Sequence, residues 1–277
     1  MGVSPLVSGY DQLILDLDGC VWIGGEPTPR AVEAIAALRG AGKRIAFVTN
    51  NSRLSGEDYV RDLWGIGVQA SAGDVVTVGG ATQHLLAETR RGRTAFVIGT
   101  EVMLRHVADA GLKVLNGTDL ASRSEIVVLG GTDELTYDDL RIASLAVRRG
   151  ADLLATSRDP TFPKPDGPWP GTGAILAAIE AASGRTGAIV GKPQPQLMLT
   201  ALDRLGEGRT LVVGDRLDAD IAAAAKAGLD AALVLTGTDP PTEAELGELG
   251  GQDGARPVAV APNLGTLVLG EENGAGS

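Results

Sequence analysis

The sequence is poor in cysteine, histidine and aromatic residues, and each scarcity narrows what the chain can do. Its single cysteine, Cys20, excludes an intrachain disulfide, which is the usual situation in a reducing cytoplasm. Because aromatic residues make up 3% and hydrophobic residues 44%, a core must be built mainly from Ala, Val, Leu and Ile. The two histidines, His84 and His106, fall in predicted helices away from the polar strand ends described below, so we assign them surface or structural roles.

Positive charge is also scarce, with a formal net charge of −11 and a pI of about 4.7. This balance argues against broad binding to nucleic acids or anionic membranes, although a small anionic ligand needs only local positive charge. No apolar run approaches the length that crosses a bilayer, and the first cationic side chain is Arg30, so no basic segment opens a signal peptide. We therefore expect a soluble, cytoplasmic protein with neither nucleic acid nor membrane as a partner.

Strand-like apolar runs alternate with helix-like segments along most of the chain. After a first strand beginning at Leu13, strands are predicted at 43–51, 74–78, 94–98, 126–129, 152–155, 188–190, 211–213 and 231–235, and the segments 258–260 and 264–269 are expected to close the fold. This alternation is typical of βαβ units and predicts an α/β fold with a doubly wound, Rossmann-like parallel sheet. Five prolines between Thr156 and Gly173 interrupt the pattern, and we expect an irregular, functional loop there.

The first strand ends in the sequence Asp16-Leu17-Asp18-Gly19. Residues two apart in a strand point to the same side, so both carboxylates leave its carboxyl end together, where ligands bind in open α/β sheets. At a separation of about 5 Å they repel by roughly 3 kcal/mol at an effective dielectric near 20. A hard divalent cation such as Mg²⁺ is the simplest compensation. The plainer alternative is a solvated turn after a strand.

Three further predicted strands also end in polar residues. Thr49 and Asn50 end the second strand, Lys192 follows a later one, and Asp215 follows another, with Asp220 in the loop beyond it. Each has a plainer alternative: a turn for the Thr-Asn pair, a surface lysine, and a helix N-cap for the last aspartate. Together they favour one crevice suited to phosphoryl transfer, in which one carboxylate can act as nucleophile and another as general acid and base.

These four motifs resemble those of the haloacid dehalogenase-like hydrolase superfamily. They occupy residues 16–19, 49–51, 191–193 and 214–220. More narrowly, the chain resembles, up to about Leu269, the NagD-like branch with a type C2 cap, which includes nitrophenylphosphatases and phosphoglycolate, glycerol-phosphate and pyridoxal-phosphate phosphatases. The resemblance implies an Mg²⁺-dependent phosphomonoesterase that works through an aspartyl-phosphate. It also implies a core at 1–80 and 186–277, and an inserted α/β cap at 81–185 that commonly mediates homodimerisation.

The resemblance further implies a role for each motif residue. It implies that Asp16 is the nucleophile and that Asp18 is the general acid and base. It implies that the phosphate is bound by Thr49, Asn50, Asn51 and Lys192, and that the lysine also pairs with Asp16. Mg²⁺ binding is implied for Asp16, Asp215 and the main-chain carbonyl of Asp18, with Asp220 as a supporting carboxylate.

The proline-rich loop resembles the cap segment that approaches the substrate in this branch. In the pyridoxal-phosphate enzymes the segment reads Arg-Asp-Pro, an aromatic residue and then histidine. Here Arg158 and Asp159 match, but Thr161 and Phe162 follow and no histidine is present. The resemblance therefore favours a small substrate such as glycerol 3-phosphate or 2-phosphoglycolate, with nucleotide monophosphates and pyridoxal phosphate as alternatives. Packing within the cap is the plainer role for Phe162.

Rival classes share parts of this pattern. A phosphoacceptor signalling domain also clusters aspartates with a threonine and a lysine, but it is much shorter and has no cap-sized insertion. A haloalkanoate dehalogenase of the same superfamily lacks the second aspartate of the first motif, which is Asp18 here. A catalytically silent binding protein on this fold is a third alternative, although every catalytic position of the family is filled.

Overall fold

The computed structural model describes residues 2–164, 166–237, 240–242 and 256–271. Two compact units divide the chain: residues 1–49, 56–76 and 192–277 form the first, and residues 50–55 and 77–191 form the second. The second unit thus has wider bounds than the predicted insertion at 81–185. The stretch 239–254, to which the sequence assigned no element, lies outside the described residues apart from 240–242.

The elements alternate as the βαβ pattern predicts. The strands are β1 Gln12–Asp16, β2 Trp22–Ile23, β3 Glu26–Pro27, β4 Arg44–Thr49, β5 Val75–Thr77, β6 Thr94–Ile98, β7 Lys113–Val114, β8 Ile126–Leu129, β9 Asp152–Ala155, β10 Thr161–Lys164, β11 Gly167–Pro170, β12 Ala188–Ile189, β13 Thr210–Gly214, β14 Asp230–Val234 and β15 Ala259–Ala261. The α-helices are α1 Pro5–Ser8, α2 Ala31–Gly40, α3 Gly56–Gly65, α4 Val78–Thr89, α5 Glu101–Asp109, α6 Tyr137–Arg148, α7 Thr172–Ser183, α8 Gln196–Leu205, α9 Ala222–Lys226 and α10 Leu264–Leu269. A π-helical turn, Leu217–Ile221, precedes α9.

The first unit is built on a six-stranded sheet in the order β15-β14-β13-β1-β4-β5. Strand β1 is buried at all five residues and runs parallel to both neighbours, with Ile14 opposite Val212 of β13 and Asp16 opposite Val48 of β4. From β1 the chain builds the sheet outward through β4 and β5, and it later returns to build the other side from β13. The order therefore reverses between β1 and β13, which is where open α/β sheets bind ligands. The predicted doubly wound α/β fold is confirmed.

The core of the first unit is mostly aliphatic, as the scarcity of aromatic residues predicts. Side chains of β1 and β13 pack with those of helices α2 and α10, and the buried cluster includes Leu13, Leu15, Ile35, Leu38, Phe47, Leu211, Val213, Leu264 and Val268. Burial of an aliphatic side chain of this size contributes about 1.5–3 kcal/mol. This packing surrounds β1 near the middle of the sheet.

The second unit carries its own five-stranded sheet, in the order β12-β9-β8-β6-β7, with parallel pairs throughout. Along β8, Val127 and Leu129 face one apolar cluster, whereas Ile126 and Val128 face another. Both faces of the sheet are therefore covered by apolar side chains. This explains why the sequence of β8 is a continuous apolar run. Across the described residues, no helix has both the length and the apolar character that a bilayer crossing requires.

The expectation of an irregular loop at 156–173 is wrong, because β10 and β11 form an antiparallel hairpin there. The Gly171 amide donates to the Pro160 carbonyl at 2.8 Å, so the next pair inward is not hydrogen-bonded, and the pairs then alternate. Three prolines share the non-hydrogen-bonded positions: Pro163, Pro168 and Pro170. Because no N–H is needed there, proline is compatible with these strands.

Candidate active site

The site of the first unit is formed where neighbouring parallel strands end. Strand β1 ends at Asp16, β4 ends at Thr49, and Asp215 follows the last residue of β13. Since β1 lies between β4 and β13, the three side chains emerge at one edge of the sheet. The clustering predicted for these residues is therefore a consequence of strand order.

A buried ammonium group lies between two carboxylates at this edge. Lys192 Nζ is 2.5 Å from Asp16 Oδ1 and 2.6 Å from Asp220 Oδ1. The exposed fractions of Lys192, Asp16 and Asp220 are only 6%, 5% and 1%. Burial alone would lower the pKa of Lys192, but the two carboxylates outweigh it and raise that pKa, so the ammonium stays charged.

The nucleophile candidate is held in a strongly perturbed environment. Burial raises the pKa of Asp16 well above its usual range, the Lys192 ammonium opposes this, and the charges of Asp220 and Asp215 add to the rise. Three carboxylates thus share one ammonium in a buried space, and the excess negative charge requires a further cation when all are ionised.

The carboxylates are arranged as a cation would require. Oxygen atoms of Asp16, Asp215 and Asp220 lie within 4.8 Å of one another. Asp215 Oδ1 is buried and accepts no hydrogen bond from any described residue. Burial, followed by the charge of Asp220, raises the pKa of Asp215 to about 6. An orphaned carboxylate oxygen within an all-oxygen donor set fits a hard divalent cation such as Mg²⁺.

Two glycines make room for this carboxylate. A Cβ atom at Gly19, where φ is +87°, or at Gly237 would overlap Asp215 Oδ2. The loop carrying Gly237 is fastened to the first motif, because the Thr236 hydroxyl donates to the Gly19 carbonyl at 2.5 Å. The sequence reasoning missed Thr236 and Gly237 as site residues, although both follow a predicted strand in the same way as the assigned residues.

Asp220 supports Lys192 more directly than it can support a metal. Its Oδ1 accepts from the lysine, and its Oδ2 accepts from the Arg216 amide at 3.2 Å. It lies in the π-helical turn 217–221, so the plainer alternative of a helix N-cap does not describe it.

Asp18 occupies a different environment from Asp16 although only Leu17 separates them. It is exposed, and its Oδ1 accepts from Trp22 Nε1 at 3.0 Å. The Thr49 hydroxyl approaches Asp18 Oδ2 at 3.5 Å. Trp22 is itself stacked on Tyr59, with ring centroids 6.2 Å apart. The Asp16 carboxylate is therefore buried against an ammonium, whereas the Asp18 carboxylate is oriented toward solvent. No feature of the sequence indicated that Trp22 would hydrogen-bond to Asp18.

Cys20 is a packed thiol beside this site. Its Sγ lies 3.8 Å from the Val213 carbonyl, and burial, followed by the charge of Asp16, raises its pKa well above the usual range. A neutral thiol is a poor nucleophile, so Cys20 is a packing residue here and not a second nucleophile.

The remaining sequence-predicted residues belong to the second unit. Asn50 and Asn51 lie in its segment 50–55, where Asn51 Oδ1 accepts from the Arg53 amide at 3.0 Å. The Phe162 ring in β10 lies under the guanidinium of Arg53, with Cζ 4.0 Å from the ring centroid. Their roles toward a substrate stay predictions.

The other two loop residues are held by hydrogen bonds within the second unit. Arg158 binds both carboxylate oxygens of Glu180, at 2.7 and 3.1 Å, and Asp159 Oδ2 accepts from the Ser157 hydroxyl at 2.6 Å. The hydrogen bonds from Arg158 lower the pKa of Glu180, which keeps this pair ionised. A structural contribution therefore accounts for the position of Arg158.

Comparisons with known proteins place this site in a family. The haloacid dehalogenase-like hydrolase model matches residues 13–113, and a related hydrolase model of that type matches residues 189–267. D-glycerol 3-phosphate phosphatase of Mycobacterium tuberculosis is 38% identical over 247 residues, covering 89% of this chain and 69% of the relative. Acid sugar phosphatase of Staphylococcus aureus is 32% identical, covering 82% of this chain and 87% of the relative.

Solved structures agree with the sequence relatives. Glycerol phosphate phosphatase of M. tuberculosis in complex with magnesium has a TM-score of 0.85 at 36% identity, covering 94% of this chain and 77% of that one. The p-nitrophenyl phosphatase of Archaeoglobus fulgidus has a TM-score of 0.82 at 31% identity, covering 92% and 97%. The chain belongs to the haloacid dehalogenase-like hydrolases. Its predicted NagD-like branch and its enzyme class, a phosphatase, are confirmed.

Proposed function

We propose that the chain is an Mg²⁺-dependent phosphomonoesterase that hydrolyses a small phosphorylated metabolite through an aspartyl-phosphate on Asp16. The observation that carries this proposal is the buried Lys192 ammonium between Asp16 and Asp220, next to an Asp215 oxygen that accepts no hydrogen bond from described residues. An anionic phosphoryl group needs positive charge around its oxygens and a carboxylate in line with its phosphorus.

The metal site in this proposal consists of oxygen atoms from the first and fourth motifs. Asp16, Asp215 and the main-chain carbonyl of Asp18 would hold Mg²⁺, with Asp220 in support through Lys192. The bound ion would neutralise charge on the phosphoryl oxygens. The magnesium complex of the M. tuberculosis relative supports this choice of cation.

The protein's own groups account for the covalent steps. A carboxylate oxygen of Asp16 forms a bond to phosphorus while the ester P–O bond breaks, and the leaving alkoxide takes a proton from the carboxyl group of Asp18. The resulting Asp18 carboxylate then removes a proton from water, which attacks phosphorus and releases Asp16 and phosphate. General acid–base help of this kind contributes typically 10²- to 10⁴-fold in rate. The Thr49 hydroxyl and the Lys192 ammonium would donate to the phosphoryl oxygens.

Glycerol 3-phosphate is the substrate we propose first, because the 38%-identical relative carries that activity in its name. The related acid sugar phosphatases support a polyol or sugar phosphate as the broader class. 2-Phosphoglycolate, nucleotide monophosphates and pyridoxal phosphate stay as alternatives predicted from the sequence.

Phosphate release from a panel of phosphomonoesters tests the substrate. The panel contains glycerol 3-phosphate, 2-phosphoglycolate, UMP, pyridoxal phosphate and p-nitrophenyl phosphate, each with Mg²⁺ and with a chelator. We expect metal-dependent release with the highest kcat/KM for glycerol 3-phosphate. A clear preference for another member would replace the substrate and keep the chemistry, whereas no release from any member would contradict the phosphatase mechanism.

The Asp16→Asn variant tests the nucleophile. Amide nitrogen and oxygen cannot form the acyl-phosphate, so turnover should be lost while circular dichroism shows a folded protein. Residual turnover comparable with that of the parent chain would contradict the assignment.

The finer organisation is also part of the proposal. We assign the region 81–185 as a type C2 cap that covers the site and mediates a homodimer, in a cytoplasmic protein. Light scattering coupled to size-exclusion chromatography, on the whole chain, checks the dimer directly, and a monomer at micromolar concentration would rule it out.

A further inference from the structure

A second polar cleft lies in the first unit, away from the strand ends that carry the catalytic motifs. It has a volume of about 530 Å³, and its lining includes Arg39, Lys43, Arg44, Trp64, Asp74 and Arg204. Arg44 is the first residue of β4 and Thr49 is the last. At about 3.3 Å per residue, the two ends of this strand are about 16 Å apart, so the cleft is at the amino edge of the sheet and the catalytic motifs are at the carboxyl edge.

The cleft concentrates positive charge in a chain whose net charge is −11. Four cationic side chains line it, against the single carboxylate of Asp74, which already accepts from the Ser71 amide and hydroxyl. Among the residues that the structure describes, none of the four cations forms an ion pair. Three of them donate to main-chain carbonyls: Lys43 to Ser8, Arg44 to Leu205 at 2.6 Å, and Arg204 to Val75 at 2.7 Å.

These hydrogen bonds matter because carbonyl groups orient a cation without cancelling its charge. Arg44 and Arg204 are therefore held in place with their positive charge available to an anion. Arg39, in the last turn of α2, has no side-chain hydrogen bond or ion pair with any described residue. An anion with more than one phosphate group would meet several such donors at once, and charge-assisted bonds are the stronger kind.

A flat aromatic surface borders the same charges. The Trp64 ring is 60% exposed, and its Nε1 donates to the Ala70 carbonyl at 2.8 Å. The indole is thus held by a hydrogen bond while more than half of the residue is exposed to solvent. An exposed indole that is held in this way can serve as a stacking surface for a nucleobase or a similar ring.

We propose that this cleft is a second ligand site that binds a nucleoside di- or triphosphate. The phosphate groups would lie against Arg39, Arg44 and Arg204, and the base would stack on Trp64. The site is separate from the phosphatase site and does not depend on the function proposed for it.

Isothermal titration calorimetry with ADP, at low ionic strength and with a chelator present, tests the proposal on the whole chain. Arg39→Gln and Trp64→Leu should each raise the Kd for ADP about tenfold, the loss expected for one charge-assisted contact at Arg39 and for one base stack at Trp64. The matched control is Arg61→Gln, because Arg61 is a highly exposed cation on α3 outside the cleft. Its Kd should equal that of the parent chain, and Asp16→Asn should bind ADP equally well. Melting curves confirm that each variant is folded.

The outcomes separate the alternatives. Absence of ADP binding at millimolar concentration overturns the proposal. An equal loss in Arg61→Gln would indicate diffuse charge attraction, and a loss only in Asp16→Asn would place the nucleotide at the phosphatase site; both results overturn it. If tripolyphosphate binds as tightly as ADP and Trp64→Leu changes nothing, the ligand is a polyphosphate without a ring and the nucleotide assignment is wrong.

Discussion

Replacing Lys192 with methionine should destabilise the protein more than almost any other conservative change. Its ammonium lies 2.5 Å from Asp16 and 2.6 Å from Asp220, and all three residues are buried. The Lys192→Met side chain keeps most of the volume but leaves two buried carboxylates without their cation. Removing one partner of a buried ion pair typically costs about 3–5 kcal/mol. Against a total stability of about 5–15 kcal/mol, this loss is a large fraction of the folding free energy.

Urea unfolding followed by circular dichroism, in a chelator, measures this loss in the free energy of unfolding. The double variant Lys192→Met with Asp220→Asn should recover part of it, because one of the two uncompensated charges is then absent. Lys226→Met is the matched control, since Lys226 is an exposed lysine at the end of α9 and should change stability by no more than about 0.5 kcal/mol. A loss below about 1 kcal/mol in Lys192→Met, or no recovery in the double variant, would refute the electrostatic account of this site.

Three further predictions concern the metal and the hairpin. Since burial raises the pKa of Asp215 from 3.8 to about 6, the folded chain binds this proton more readily than the unfolded chain. As the pH falls from about 7.5 to about 5, the metal-free protein should therefore become more stable. Over the same range the rise in melting temperature that Mg²⁺ produces should become smaller, and a rise that stays constant would contradict this account. Gly237→Ala should weaken Mg²⁺ binding about tenfold in calorimetry by displacing Asp215, while Gly65→Ala, which meets no atom within 4 Å, should not. Phe162→Leu should change the kcat/KM for glycerol 3-phosphate relative to that for p-nitrophenyl phosphate. Equal changes for both substrates would indicate that the ring has only a structural role.

The strands of the central sheet could be predicted because each one is specified by a short, continuous run of residues. A buried parallel strand needs an apolar run, and a polar residue that ends the run then lies at the ligand-binding edge. Asp16, Thr49 and Asp215 were found in this way, and the observed strand order brings their strand ends side by side.

What the sequence did not predict depends on contacts between distant segments. Trp22 orients Asp18 through one indole N–H, and Thr236 fastens a loop more than 200 residues away to Gly19. Neither contact leaves a periodic trace in the sequence. The β10–β11 hairpin was missed for another reason. The number of prolines argued against strands, but what matters is whether each proline lies at a hydrogen-bonded or a non-hydrogen-bonded position of the pair.

The placement of those prolines also determines what the hairpin can join. At a non-hydrogen-bonded position, the main-chain N–H points away from the partner strand and toward the outer edge, where an additional strand would pair. Pro163, Pro168 and Pro170 have no N–H to offer, so Thr161 is the one non-hydrogen-bonded residue of these two strands that keeps an outward donor. Both edges of the hairpin are therefore poor templates for β-sheet extension, and self-association through strand addition is disfavoured at this part of the chain.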